Sequence, residues 1–254
     1  MLKAKLSVTI ITLNEEKDLP SCIASVGKLA DEIIIVDSGS TDRTIEIARK
    51  HGAKIYYRKF DNYANQKNFA LKLASGKWIL SLDADEQVEP ELGDEIHSIL
   101  TDHKSSFIAY TIPRKNIIFR KFIKYTRWQP ELDRHIWLWK KNNGMWIGDV
   151  HEEVEVNGNV GKLINAKIHY QYNTVSEFLE MTNSYSELES SEKVKRKVKY
   201  SFARMIINSI YNFGVRYIYR LGFLDGWRGF VLSYLMAIYH LELWVKVWEK
   251  ERRR

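Results

Sequence analysis

The sequence predicts an α/β fold in which a doubly wound, mostly parallel sheet precedes a C-terminal helical module. Three observations support this class. Short apolar runs rich in β-branched residues alternate with helical patterns in the N-terminal third. Loops rich in turn-forming residues separate these runs. Beyond residue 172 glycine becomes sparse and the pattern turns helical, which predicts one domain at 1–172 and a second at 173–254.

The individual elements follow from apolar periodicity and run length. The predicted strands are Leu6–Leu13, Ile33–Val36, Lys54–Tyr57, Trp78–Leu82, 107–112, 136–139 and Ile164–Tyr170, and the predicted helices are Lys17–Leu29, Arg43–His51, Tyr63–Ser75 and Pro90–Leu100. In a parallel sheet of this kind, ligands bind at the carboxyl ends of the strands. We therefore expect the loops after the first, second and fourth strands to line one crevice.

Composition excludes several classes of protein. A hydrophobic content of 45% with 28% charged residues predicts a globular chain rather than a disordered one. The single cysteine, Cys22, excludes an intrachain disulfide framework and a cysteine zinc site, and it fits a reducing compartment. The N-terminal residues lead directly into a strand pattern, so we expect no signal peptide and a cytoplasmic location.

The most informative stretch is Trp78–Glu86, where an apolar strand ends in three carboxylates. Because an unpaired buried carboxylate is very costly, these acids are expected at the edge of the sheet. Asp83 and Asp85 are two residues apart and point the same way on an extended backbone. Such a pair suits Mg²⁺ or Mn²⁺, which complete their coordination with substrate phosphates and water. The alternative is a solvated turn that caps the helix beginning at Pro90.

Two further loops follow the first and second strands. In 37–42, Ser40 or Thr41 can cap the next helix, which leaves Asp37 to accept a hydrogen bond from a ribose hydroxyl or a base N–H. Asn14 and Glu15 could likewise cap the first helix. Taken singly each loop has a structural explanation, but three polar loops at one edge favour a binding site.

Four ordered motifs lie in the first 90 residues: Val8–Glu16, Ile35–Asp42, Asn65–Asn68 before Gly76, and Leu82–Glu86. In this order they resemble the inverting family 2 glycosyltransferases with a GT-A fold. A later run from Trp146 to Glu153 and the segment Phe223–Trp227 resemble the branch that contains the lipopolysaccharide core glucosyltransferases.

The resemblance implies a role for each matched position. It implies that Asp85 is the principal metal ligand, that Asp83 bonds the ribose and approaches the metal, and that Lys67 reaches toward sugar or phosphate. The cation, Mg²⁺ or Mn²⁺, would neutralise the departing diphosphate. The other positions implied to bind substrate are Thr12, Asn14, Glu15, Asp37, Ser38, Asn68 and Ala84.

The catalytic base is expected in the acidic cluster at 149–153. Inversion by direct displacement needs a carboxylate that takes the acceptor's proton, and Glu152 matches the family's His-Glu element, with Asp149 and Glu153 as alternatives. His151 is a candidate metal or phosphate ligand, and His169 competes for that role. Arg134 is a candidate for contact with the diphosphate, although an ordinary surface arginine is equally compatible.

The C-terminal module carries the positive charge of the chain. Residues 193–254 contain 14 Lys and Arg against 4 Asp and Glu, a net charge of +10 within a total of +7. Tryptophan and tyrosine accompany these basic residues, and we find no run of about twenty apolar residues to span a bilayer. We therefore expect the module to lie on an anionic membrane surface; the alternative is a helical bundle with a solvated basic face.

These observations lead to one functional hypothesis. The chain is expected to move a hexose from a nucleotide diphosphate sugar, UDP-glucose or a relative, to a lipopolysaccharide core or other envelope glycolipid. A polyprenyl phosphate or a peptide is the alternative acceptor. Two alternatives belong to other classes. One is a nucleotidyltransferase, which would normally need a glycine-rich phosphate-binding loop that this sequence lacks near its first strand, and the other is a non-catalytic membrane-binding protein. No nucleic-acid reading motif is visible.

Overall fold

The computed structural model describes residues 5–102, 104–148 and 152–253. The chain forms two compact units. The first comprises the residues up to Arg114 together with Asp133–His169, and the second comprises Lys115–Leu132 together with the residues from Tyr170 onwards. The C-terminal part of the second unit begins at Tyr170, three residues before residue 173, where the sequence predicts the second domain to begin. The second unit also contains residues 115–132, which the sequence patterns assigned to the first domain.

The first unit begins with four parallel strands alternating with helices, as predicted. Each predicted strand and helix of this region is present, with ends that differ by no more than three residues. The strands are β1 (Leu6–Thr12), β2 (Glu32–Asp37), β3 (Lys54–Tyr57) and β4 (Trp78–Asp83), and the helices are α1 (Leu19–Val26), α2 (Thr44–Lys50), α3 (Tyr63–Leu73) and α4 (Pro90–Thr101).

The remaining strands make the sheet mixed. They are β5 (Glu86–Val88), β6 (Ala109–Ile118), β7 (Lys121–Phe122), β8 (Arg134–Lys140), β9 (Gly144–Ile147), β10 (Glu153–Val156), β11 (Val160–Lys162) and β12 (Lys167–Tyr172). The strand order is β3-β2-β1-β4-β8-β6-β12-β5, with β7 and β11 paired to β6, and β9 and β10 form a separate hairpin. Strand β8 enters antiparallel to β4, so the parallel arrangement ends there.

Burial of apolar side chains on both faces stabilises the parallel strands. Val8, Ile10, Ile34 and Ile35 are fully buried, as expected for strands covered on both faces. Strand β4 approaches β1 so closely at its start that a Cβ on Gly76 would lie 2.5 Å from Ser7 Oγ. Glycine at this position therefore lets β4 enter the sheet beside β1, and β4 carries the acidic motif at its other end.

The second unit consists mainly of helices, with α5 at Val175–Lys195, α6 at Phe202–Gly214 and α7 at Trp227–Arg252. A π-helical segment, Val215–Tyr219, and a 3₁₀ turn, Gly222–Asp225, connect α6 to α7. The buried Asp225 accepts hydrogen bonds from the backbone N–H groups of Lys124 and Tyr125 at 3.1 and 2.9 Å. The aspartate of the Phe223–Trp227 motif therefore fixes the loop at 124–125.

Helix α7 corrects one expectation about this unit. By length and composition it could cross a membrane, and it alone among the described helices passes that test. The prediction that no run is long and apolar enough is therefore wrong by this criterion. Leu232 and Leu235 nevertheless pack in a core with Ile118 and Phe178, and a core helix passes the same test.

Candidate active site

The parallel register brings the predicted loops to one edge of the sheet. Thr12 at the end of β1 lies opposite Asp37 at the end of β2, and Ile11 lies opposite Asp83 at the end of β4. The polar residues that follow these strands therefore share one edge, as the sequence predicted. This is the edge at which an open α/β sheet binds its ligands.

Asp37 organises the loop after β2. Its carboxylate accepts hydrogen bonds from Thr12 Oγ1 at 3.1 Å, from the N–H groups of Gly39 and Ser40 at 2.8 and 2.9 Å, and from Ser40 Oγ. Gly39 has a φ of 112°, which favours glycine. The four donors match the roughly four lone-pair sites of a carboxylate, so a nucleoside would have to share or replace one of them. Ser38 Oγ accepts from Gln66 Nε2 at 2.9 Å.

Asn14 ties the loop after β1 to the loop after β2. It adopts a left-handed φ of 59°, and its side-chain oxygen accepts a hydrogen bond from Thr41 N at 2.8 Å. The backbone N–H of Glu15 donates to Thr44 Oγ1 at 2.7 Å. Burial, together with Asp85 and other nearby carboxylates, raises the pKa of Glu15 to about 7. The edge therefore concentrates negative charge.

A buried ammonium group joins two of the predicted site residues. Lys67 Nζ lies 3.0 Å from Asp83 Oδ1 and 2.9 Å from Glu152 Oε1, and the lysine is 3% exposed. It also lies 4.5 Å from the centroid of the Trp146 ring. Burial opposes the charged lysine, but the two carboxylates outweigh it and raise the pKa of Lys67. Burial also disfavours ionised Asp83, yet Lys67 and then Lys167 lower the pKa of Asp83 to about 2.

The second aspartate of the motif faces a histidine on another strand. Asp85 Oδ2 lies 3.2 Å from His169 Nε2. Ala84, which separates the two aspartates in the sequence, is buried. Antiparallel pairing of β12 with β5 places His169 opposite Glu86. The structure thus brings to Asp85 the histidine that competes with His151. His151 and Asp149 lie outside the described residues.

The donor set fits a hard divalent cation that shares its coordination with substrate. Within 5–102, 104–148 and 152–253, no three His, Cys, Asp or Glu side chains are close enough to hold a metal by themselves. Mg²⁺ needs only one or two carboxylates when a diphosphate supplies the other oxygens. The side chains of Asp83 and Asp85 are 31% and 29% exposed, so both can reach such a cation.

The third acid of the motif is not part of this edge. Glu86 has no exposed surface and pairs with Lys167, which is also fully buried. Its Oε2 also accepts from Asp83 N at 3.0 Å. The expectation that all three carboxylates lie at an exposed edge is therefore wrong for Glu86. The physical reason is that Lys167 from β12 compensates the charge of Glu86, so this carboxylate is buried as part of an ion pair.

A polar network surrounds this ion pair, and sequence reasoning missed it. Lys167 Nζ lies 3.2 Å from the ring centroid of Trp137, and burial lowers the pKa of Lys167 to about 8 although Glu86 opposes that shift. Arg114 forms two hydrogen bonds with Asp133, at 3.0 and 2.8 Å, and lies 3.8 Å from Glu86 Oε1. Alternating polar residues in strands resemble a solvent-facing pattern, so no local signal identifies these residues as buried partners.

Three other predicted residues have contacts of a different kind. Asn68 forms two hydrogen bonds with the backbone of Trp146, at 2.8 and 3.0 Å. Arg134 Nη1 donates to the carbonyl of Leu163 at 2.8 Å. Glu153 is exposed at the start of β10. Asn68 and Arg134 thus hold backbone segments in place, and their roles toward substrate remain predictions, as does the role of Glu153.

The fold and this acidic edge define a GT-A glycosyltransferase. The chain belongs to the family described as Glycosyl transferase family 2, whose sequence model matches residues 7–154. The protein is therefore an enzyme of the glycosyltransferase class, and the resemblance seen in the motifs is confirmed.

Individual relatives extend the similarity over most of the chain. An uncharacterised glycosyltransferase of Rickettsia typhi is 33% identical over 244 residues, covering 92% of this chain and 83% of the relative. The lipopolysaccharide core biosynthesis glycosyltransferase LpsC of Rhizobium meliloti is 29% identical over 261 residues, covering 98% of this chain and 93% of LpsC. Among solved structures, S. aureus TarS 1-349 in complex with UDP-GlcNAc aligns with a TM-score of 0.49 at 16% identity, covering 93% of this chain and 81% of the TarS 1-349 chain.

Proposed function

We propose that this enzyme transfers a hexose from UDP-glucose, or a close relative, to an acceptor hydroxyl with inversion, and that the transfer depends on Mg²⁺ or Mn²⁺. The observation that carries the proposal is the contact chain Asp83–Lys67–Glu152. One buried ammonium group links the first aspartate of the D-x-D motif to the candidate catalytic base. Donor site and base therefore belong to one connected site.

The donor end of the site is assigned to the two aspartates. Asp85, with Asp83 beside it, would hold the divalent cation, which would supply positive charge against the diphosphate as it leaves. Asp83 is kept ionised by Lys67, so it can accept a hydrogen bond from a ribose hydroxyl. His169, 3.2 Å from Asp85, is positioned to orient that carboxylate.

The acceptor end is assigned to Glu152. Its carboxylate takes the proton of the acceptor hydroxyl while the new bond forms between the acceptor oxygen and the anomeric carbon. The bond between that carbon and the diphosphate breaks on the opposite face, so the configuration inverts and UDP leaves. The ion pair with Lys67 at 2.9 Å fixes the orientation of Glu152.

We assign the acceptor to a lipopolysaccharide core or a related envelope glycolipid. The similarity to LpsC over 98% of the chain supports this class. A membrane-borne acceptor also fits a cytoplasmic enzyme located at the inner face of the membrane, with the second unit as the contacting part.

A donor screen tests the proposal. Turnover of a panel of nucleotide sugars is measured with Mg²⁺, with Mn²⁺ and with chelator, using a deacylated core oligosaccharide as acceptor. Wild type is expected to use a UDP-hexose only with the cation, and the product anomer is expected to be inverted by NMR. Asp85→Ala is expected to lose metal-dependent turnover by at least about 100-fold with its fold intact.

The control is Asp94→Ala, which removes an exposed carboxylate on α4. It is expected to behave as wild type in the same assay. Metal-dependent turnover retained in Asp85→Ala would refute the assignment of the metal ligand, and turnover unaffected by chelator would refute metal dependence.

A further inference from the structure

Helix α6 exposes its apolar side and buries polar residues. Ile207, Ile210 and Tyr211 are 63%, 68% and 63% exposed, while Ser209 and Asn212 are buried. A surface helix of a water-soluble protein shows the opposite arrangement, with its apolar stripe toward the core. The outward side of α6 is therefore built for an apolar surrounding.

The connection to α7 and the first turns of α7 continue this arrangement. Tyr219, Phe223 and Trp227 are exposed, as is Phe230 one helical turn further on. Meanwhile Gly229 and Ser233 lie on the buried side of α7. The same reversal therefore occurs on two helices and the segment between them.

Aromatic contacts connect the exposed Phe223 and Phe230 through Phe213 and Tyr217. The ring of Phe230 lies 5.9 Å from that of Phe213 on α6 and 5.6 Å from that of Tyr217, and Tyr217 lies 6.3 Å from Phe223. We call this surface the aromatic face and define it by Ile210, Tyr211, Tyr219, Phe223, Trp227 and Phe230. Large apolar side chains exposed together in this way mark a contact with a partner or a membrane.

Charge identifies the partner. Between Phe202 and Leu241 the only acidic residue is Asp225, which is buried and held by backbone amides. The guanidinium of Arg220 lies 5.2 Å from the ring of Tyr219, and that of Arg228 lies 4.6 Å from the ring of Trp227. Neither arginine forms an ion pair with a carboxylate in the described part of the chain. Arginine beside exposed tyrosine and tryptophan matches the headgroup layer of an anionic bilayer.

Ion pairs within α5 neutralise part of the basic charge elsewhere in this unit. On α5, Glu189 pairs with Lys193 at 3.2 Å and Glu192 pairs with Arg196, so part of the basic run at 193–199 is neutralised within its own helix. A second copy of the chain would bring two basic faces together, which like-charge repulsion disfavours. The apolar and cationic character therefore coincide on the aromatic face.

We propose that the aromatic face inserts into the headgroup layer of an anionic membrane leaflet, with Arg220 and Arg228 at the level of the lipid phosphates. The proposal rests on the proposed function, because a membrane-borne acceptor is what requires the enzyme to meet a lipid surface. Helix α7 then lies along the interface and does not cross it.

Vesicle co-sedimentation of the full chain tests this proposal. The vesicles contain phosphatidylcholine alone or phosphatidylcholine mixed with phosphatidylglycerol. Wild type is expected to bind the mixed vesicles and to bind less as salt rises. Ile210→Glu and, as a milder change, Tyr219→Ser are each expected to lower the partition coefficient, the former by about tenfold or more. Leu188→Glu, at an exposed position on α5, is the matched control and is expected to bind as wild type.

The outcomes separate this proposal from the function on which it rests. Binding of UDP in the presence of Mn²⁺, measured by calorimetry, is expected to be the same in all variants. Wild type that stays in the supernatant, or Ile210→Glu that binds as wild type, would overturn the membrane contact and leave the transferase proposal intact. A dimer in light scattering that Ile210→Glu converts to a monomer would instead show that a second copy covers the aromatic face. If the wild type binds the vesicles but does not bind UDP, only the transferase proposal is overturned.

Discussion

Lys67 is the residue on which the candidate site depends most. A buried ammonium group is tolerated only when carboxylates compensate its charge, and Asp83 and Glu152 do so at 3.0 and 2.9 Å. The same contacts fix the orientation of both carboxylates, and Lys67 lowers the pKa of Asp83. Since Glu152 comes from a segment far along the chain, Lys67 is what couples the candidate base to the end of β4.

Replacing Lys67 tests this coupling. Lys67→Met keeps the length of the side chain but removes its charge, so two partly buried carboxylates are left facing each other. We expect the free energy of unfolding to fall by about 2–4 kcal/mol and turnover to fall by about 100-fold or more. Urea denaturation and steady-state kinetics measure the two effects.

Lys67→Arg is the matched variant, because it keeps the charge and changes its geometry. It is expected to recover most of the stability and only part of the turnover. Full activity in Lys67→Met would contradict the claim that Lys67 positions Glu152.

At the residue scale, motifs indicate candidate residues but not their contacts within the chain. They indicate Asp83, Asp85 and Lys67, which the structure places near one edge of the sheet, and the roles of these residues toward substrate stay predictions. The hydrogen bonds that satisfy Asp37 and Asn14 within the chain could not be seen, because they depend on the register of two loops. Glu86 and Lys167 are 81 residues apart, and a lysine in a strand carries no sign of its buried partner.

The pairing of β5 with β12 is the element that places His169 beside Asp85. Glu86 and Lys167 form an ion pair without exposed surface, and Val88 lies opposite Lys167 in the register. Because only three residues of each strand pair with the other strand, few backbone hydrogen bonds join β5 and β12. The ion pair therefore contributes to the alignment of β12 with the D-x-D turn.

A double-mutant cycle tests this role. Lys167→Met leaves Glu86 buried without its partner and is expected to lower the free energy of unfolding by about 3–5 kcal/mol. The double variant Glu86→Gln with Lys167→Met removes both charges and is expected to recover a large part of that loss. Chemical denaturation measures the wild type, the two single variants Glu86→Gln and Lys167→Met, and the double variant.

The cycle also has an outcome that contradicts the account. If the loss in the double variant equals the sum of the losses in the two single variants, the two side chains do not interact in the folded protein. If the double variant is stable and retains turnover, the ion pair contributes to folding and not to catalysis.

Elements with a strong apolar period were predictable, and short or polar ones were not. The runs of β1 and β2 carry β-branched residues on both faces, and β4 carries large apolar residues on both faces, so their burial follows from the sequence alone. Strand β5 has three residues and no period. The segment 115–132 contains non-glycine residues with positive φ, including Phe119, Arg120, Thr126 and Arg127, which no local pattern indicates.

At the scale of the whole molecule, the separation of charge follows the separation into two units. The acidic edge belongs to the first unit, and the excess of basic residues belongs to the second. Some of that excess serves packing within the second unit, since Lys246 pairs with Glu242 at 2.6 Å. Removing residues 193–254 would also remove Leu232 and Leu235 from a core shared with Ile118, so point variants test membrane contact more cleanly than truncation.

The central claim is that the edge carrying Asp83 and Asp85 holds a divalent cation together with the diphosphate of a nucleotide. The most direct measurement is anomalous diffraction at the manganese edge from crystals grown with UDP and Mn²⁺. We expect a manganese peak within coordination distance of the Asp85 carboxylate, with UDP bound at the same edge. A peak elsewhere, or UDP bound away from this edge, would contradict it.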